Sequence, residues 1–138
     1  MNHYLASFER CKWKAGELDC GVFIAGWVKE LTGFDPISDV RNGYSTERQF
    51  LRILRREGGF VRSFSLRLIR SGFVETLSPR QGDVAAVLAP CRSRSGNRLL
   101  PTGAICLDHT WRAVMTADSG LVLARSSALP SIKVYTNA

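Results

Sequence analysis

Histidine is almost missing from this chain: of 138 residues, only His3 and His109 carry an imidazole. The cysteines, Cys11, Cys20, Cys91 and Cys106, form no CxxC pair. The two scarcities together argue against a zinc site or a dithiol redox centre within the chain, and no cofactor or metal is expected. No apolar run approaches the roughly 18 residues of a membrane span. The N-terminal stretch, broken by His3, Glu9, Arg10 and Lys12, lacks the apolar core of a signal peptide. The expectation is therefore a chain made in a cytoplasm and not exported by the usual route, with its cysteines as free thiols. Carboxylates are thin as well. Arg41, Arg48, Arg52, Arg55, Arg56, Arg62, Arg67 and Arg70 are opposed in their own span only by Glu47 and Glu57, and the net charge is +7.

What remains is the make-up of an ordinary globule, 45% hydrophobic and 22% charged, long enough for one domain over residues 1–138 with a real core. The arginine cluster suits a solvated helix face or a contact with another protein. Nucleic acid is the weaker reading, because no base-reading motif and few interleaved aromatics accompany the charge.

The most informative stretch runs from Trp13 to Phe23. Asp19 suits a helix N-cap, and from Cys20 the apolar residues Phe23, Ile24, Trp27, Val28 and Leu31 fall on one helical stripe that ends at Gly33. This places Cys20 at the first position of a helix. There the positive end of the dipole is expected to lower the thiol pKa and favour thiolate, the usual preparation of a cysteine nucleophile. The plainer reading of Cys20 is a small buried hydrophobe.

Further helices are expected over about Asn2 to Cys11, with Leu5, Phe8 and Cys11 inward; from Ser45 or Thr46 to Gly58, with Phe50, Leu51, Ile53 and Leu54 inward; and over Phe60 to Ser71. Then the period changes. Strands are expected at Val84 to Leu88, Gly103 to Leu107, Trp111 to Thr116, Leu121 to Arg125 and Ile132 to Tyr135, forming an antiparallel meander. Ala89 to Pro101 reads as a polar, mobile insertion. Helices first and strands afterwards make an α+β domain, with N-terminal helices packed on a C-terminal antiparallel sheet.

Several of these pieces resemble the NlpC/P60 superfamily of papain-like cysteine peptidases. They are Asp19-Cys20 at a helix start, Phe23, Gln81-Gly82-Asp83-Val84 opening a strand, and the strand Gly103-Ala104-Ile105-Cys106-Leu107. The chain is more closely similar to a compact, phage-encoded offshoot of that superfamily. That likeness lies in the Trp13 to Cys20 loop, Leu31 to Pro36, Tyr44 and Leu54 to Gly59. It implies a small tail-tip or baseplate component of a long-tailed phage or prophage. Such a protein is made in the host cytoplasm, carried in the virion, and bound to baseplate hub and distal-tail proteins.

In the superfamily the cysteine is paired with a histidine on the strand that here contains Ile105. Alignment on Ile105 puts Thr102 at that position, and Thr110 to Ala113 on the next strand offers no second histidine. A threonine hydroxyl takes no proton from a thiol at neutral pH. The leading expectation is thus a non-catalytic structural domain. Its contact surfaces would be the basic helical face (Arg48, Arg52, Arg55, Arg56), the Ala89 to Pro101 insertion and the last strand, with Trp13 and Trp111 as candidate anchors and Trp27 in the core. The alternative is a live peptidase or amidase acting on peptidoglycan. Cys20 would be its nucleophile, His109 a rearranged base, Asp19 the helix cap, and amides near Cys20 the oxyanion hole.

Overall fold

The computed structural model describes residues 1–93 and 96–137, with side chains for 1–90 and 98–137. Four helices, α1 (Asn2–Ala6), α2 (Cys20–Thr32), α3 (Glu47–Arg56) and α4 (Phe60–Arg70), precede a six-stranded antiparallel sheet. Its strands are β1 (Phe73–Glu75), β2 (Val84–Ser93), β3 (Gly96–Cys106), β4 (Trp111–Thr116), β5 (Gly120–Arg125) and β6 (Ser131–Asn137), in the order β1-β6-β2-β3-β4-β5. The α+β architecture is as expected. The connectivity is more than a meander: β2 to β5 follow one another, but β6 returns to the free edge of β2, and β1 pairs beyond it. The last strand is accordingly interior to the sheet, which removes it from the list of free contact edges.

Alternation along β2 explains the layering. Val84 and Ala86 point to the helices and join Phe23, Ile24, Trp27, Val28, Phe64 and Leu68 in the main core. Ala85 and Val87 point the other way, into a smaller cluster with Cys106, Val114, Leu129 and Val134. Helix α2 is the hub of the larger core. Asp19 caps it and Gly33 ends it in the left-handed conformation (φ 77°), both as the sequence implies, although Leu31 at the far end is 39% exposed. The indole of Trp27 donates to the Gly82 carbonyl at 2.8 Å, so the Gln-Gly-Asp turn is tied to α2.

Four expectations need correction. Helix α1 stops at Ala6 and gives way to turns, leaving Cys11 exposed rather than inward. The apolar side of α3 is shallow: none of its residues is buried, and Leu51 is half exposed. The three-residue strand β1 has no counterpart in the sequence reading. Finally, Ala89 to Pro101 is not an insertion loop, because β2 and β3 stay paired from Val84↔Ile105 out to Ser93↔Gly96. Pro90 and Pro101 fit this hairpin because each lies beyond a neighbour's reach. Strand β6 pairs with β2 only as far as Val87, and β4 pairs with β3 over Ala104 to Cys106. The side chains of Cys91, Arg92 and Asn97, and Arg94 entirely, lie outside the described residues.

Candidate functional site

The site is built where α2 crosses β3. A side chain at Gly103 would put its Cβ 2.5 Å from Ile24 Cγ1, so only glycine lets the helix lie this close to the strand. That contact brings the start of α2 against Thr102.

Asp19 is fully buried and has three donors. Its carboxylate accepts from Val22 N at 2.8 Å, Gly16 N at 2.9 Å and Tyr44 Oη at 2.6 Å. One residue thus caps the helix, closes the 13–18 loop and anchors the chain segment around Tyr44. Burial, and next the bond to Asp19, hold the Tyr44 phenol far above its usual pKa. Tyr44 is the site residue the sequence reading did not place. It was visible only as one aromatic position in a resemblance, with nothing to connect it to Asp19.

Cys20 follows at the first helical position and retains a little exposed surface. The Thr102 hydroxyl and the backbone amides of Gly103 and Gly21 face its sulfur as donors. Each of these donors favours thiolate. Burial outweighs them, and with the charge of Asp19 adding to it, the thiol is pushed up to about 11. This reverses the expected sign. A helix N-terminus offers under about 1 kcal/mol to an exposed anion, less than the cost of desolvating a buried one. At pH 7 the Cys20 thiol is therefore held in its protonated form.

Two cavities meet at Cys20. An apolar one of about 70 Å³ lies under α2, α3 and α4, lined by Ile24, Ile37, Phe50 and Phe64 among others. The second, about 220 Å³, is a cleft bounded by Trp13, Phe50, Leu54, Pro101, Thr102 and Met115. Among the described residues Glu47 and Asp118 are its only carboxylates, and no imidazole lines either cavity.

The structure does not bring His109 to Cys20. His109 sits exposed in the β3–β4 turn, which is organised by Asp108 Oδ1 accepting from Thr110 N at 2.6 Å and Trp111 N at 2.7 Å. Thr102 is four residues, about 13 Å, back from the end of β3, so the rise of the strand separates the turn from the cysteine. His3 is exposed on α1. Of the candidate contact residues, Trp13 lines the cleft and Arg56 lines a separate groove, whereas Arg48, Arg52 and Arg55 are exposed and line neither. Trp111 is 38% exposed, with the Arg125 guanidinium 5.3 Å from its ring centre. Among the described residues no helix is long and apolar enough to cross a membrane.

As an arrangement, this is a cysteine–helix framework with donors around the sulfur and, among the described residues, no imidazole beside it. No curated protein and no solved structure matches the chain. A family model does, over residues 1–131: the chain belongs to the family described as Domain of unknown function (DUF6950).

Proposed function

We propose that this protein is a non-catalytic, protein-binding domain. In this reading it is a degenerate NlpC/P60-like fold retained as a structural component of a long-tailed phage or prophage tail tip, held against hub and distal-tail proteins. The observation that carries the non-catalytic part is the surroundings of Cys20. A hydroxyl stands at the position where the peptidases carry a base, no imidazole lines the adjoining cavities, and burial pushes the thiol up to about 11. General-base assistance worth roughly 10²–10⁴-fold is therefore missing, and so is a ready supply of thiolate. The tail-tip part rests on the sequence resemblance, chiefly the Trp13 to Cys20 loop and the Leu31 to Pro36 and Leu54 to Gly59 stretches.

Two experiments test the two parts. Purified protein and its Cys20→Ala variant are incubated with bacterial peptidoglycan and the released fragments are measured by chromatography. Equal background release from both is expected, and release that depends on Cys20 would overturn the reading. Co-expression with the hub and distal-tail proteins of the same tail gene cluster should yield a complex that survives size-exclusion chromatography. Failure to associate with either one would remove the tail-tip assignment.

A further inference from the structure

Between α3, α4 and the 36–43 segment runs a groove of about 650 Å³ that shares Val40, Ile53 and Arg67 with the apolar cavity under α2 but is not lined by Cys20. Four guanidinium groups line it, Arg56, Arg62, Arg67 and Arg70, against two carboxylates, Asp39 and Glu57. Arg67 pairs with both carboxylates, and Ser63 Oγ also donates to Glu57 Oε1 at 3.0 Å. The Arg67 guanidinium donates to Asp39 Oδ1 at 2.6 Å, to Glu57 Oε1 and Oε2 at 2.8 and 2.9 Å, and to the Pro36 carbonyl at 2.9 Å. Among the described residues Arg56, Arg62 and Arg70 have no acidic partner within ion-pair distance. Val40, Ile53 and Leu66 supply apolar surface in the same groove.

One of the three free cations lies against the α3–α4 turn. Gly58 has φ +91°, and a Cβ there would fall 2.6 Å from Arg62 Cδ, so the absence of that carbon leaves room for the Arg62 stem.

We propose that this groove docks an acidic, partly apolar peptide segment of a partner protein. Guanidinium groups pair with carboxylates in a two-pronged geometry, and the apolar lining suits side chains placed between them. Duplex DNA fits less well, because a protein reads it with a protruding helix or ribbon, and these cations line a concavity. Single-stranded nucleic acid needs stacking aromatics, and none lines the groove. The inference rests on the reading of the chain as a protein-binding domain, and its test is separate from the peptidoglycan assay.

The probe is a fluorescein-labelled twelve-residue peptide alternating glutamate with leucine, titrated at low salt and read by anisotropy. Arg56→Glu/Arg62→Glu should weaken binding at least about tenfold, while Arg48→Glu/Arg52→Glu, with the same change in charge, should stay within about twofold. All four arginines are exposed, and circular dichroism verifies that each variant is folded. Equal losses from both variants would mean a general field and not a site, and would overturn the proposal. So would no measurable peptide binding, or tighter binding of a duplex DNA or of phosphatidylglycerol vesicles through the same groove arginines. Those failures would leave the result for Cys20 untouched.

Discussion

The start of α2 and the groove between α3 and α4 treat charge in opposite ways. At Asp19 a carboxylate is buried outright, and two amides and a phenol from its own chain satisfy it. In the groove, three guanidinium groups stand in the open without a partner in the described chain. The first region is closed chemistry: its polar groups are consumed in holding a helix against a strand, and a thiol that elsewhere would be a nucleophile is kept protonated beside them. The second is open chemistry, with charge left over for something outside the chain. The carboxylate of Asp19 is consumed by donors of its own chain, whereas the groove arginines Arg56, Arg62 and Arg70 keep their interactions unspent among the described residues.

The sharpest way to break the contrast is at Asp19. Asp19→Ala removes the cap and leaves buried donors from Gly16, Val22 and Tyr44 unsatisfied, so a loss of about 3 kcal/mol or more is expected in urea unfolding. Gly103→Ala comes next. Its Cβ has no room against Ile24, and a cost of about 1–3 kcal/mol should be accompanied by faster labelling of Cys20 as α2 lifts from β3. Within the groove, Arg67→Ala should cost about 2 kcal/mol, since it strands Glu57 and the Pro36 carbonyl. Arg56→Ala or Arg62→Ala should stay within about 0.5 kcal/mol, because neither has a partner to lose. A Tm shift of comparable size for Arg56→Ala would erase the distinction.

The smallest effect is pH dependence. Burial raises Cys20 from 9.0 to about 11, so the folded state holds its proton longer than the unfolded state. The stabilising contribution is complete below pH 9 and disappears as pH rises through 11. Cys106, raised to about 11 mainly by burial on the other face of the sheet, acts in the same direction. Cys20→Ala should therefore flatten, without abolishing, the fall in unfolding free energy between pH 9 and 11.

Much of the frame was legible in local sequence. The Asp19 cap, the stripe from Phe23 to Val28, the Gly33 stop and the strands at Trp111 and Leu121 are all written in a few neighbouring residues, where periodicity and capping are reliable guides. What escaped depends on distant partners. Strand β1 exists because β6 lies beside it. The outer half of the β2–β3 hairpin tolerates two prolines only because the flanking strands end before reaching them. Helix α3 keeps its apolar residues shallow because it roofs cavities instead of entering the core. At the site, the position of Cys20 was readable but the sign of its pKa shift was not, since the dipole is local whereas the burial is completed by residues distant in the chain, such as Phe50, Leu54 and Phe60. The link from Tyr44 to Asp19 was hidden for the same reason.

The central claim is that Cys20 is a structural thiol, and its ionisation tests this most directly. The rate of alkylation by iodoacetamide is followed from pH 6 to 11 in the folded protein, with the Cys20 peptide read separately by mass spectrometry so that exposed Cys11 does not intrude. The account predicts slow labelling that keeps rising to the top of the range, with a midpoint near 11. A plateau reached below about pH 7 would mean a thiolate paired with a base, and Cys20 would then be a nucleophile after all.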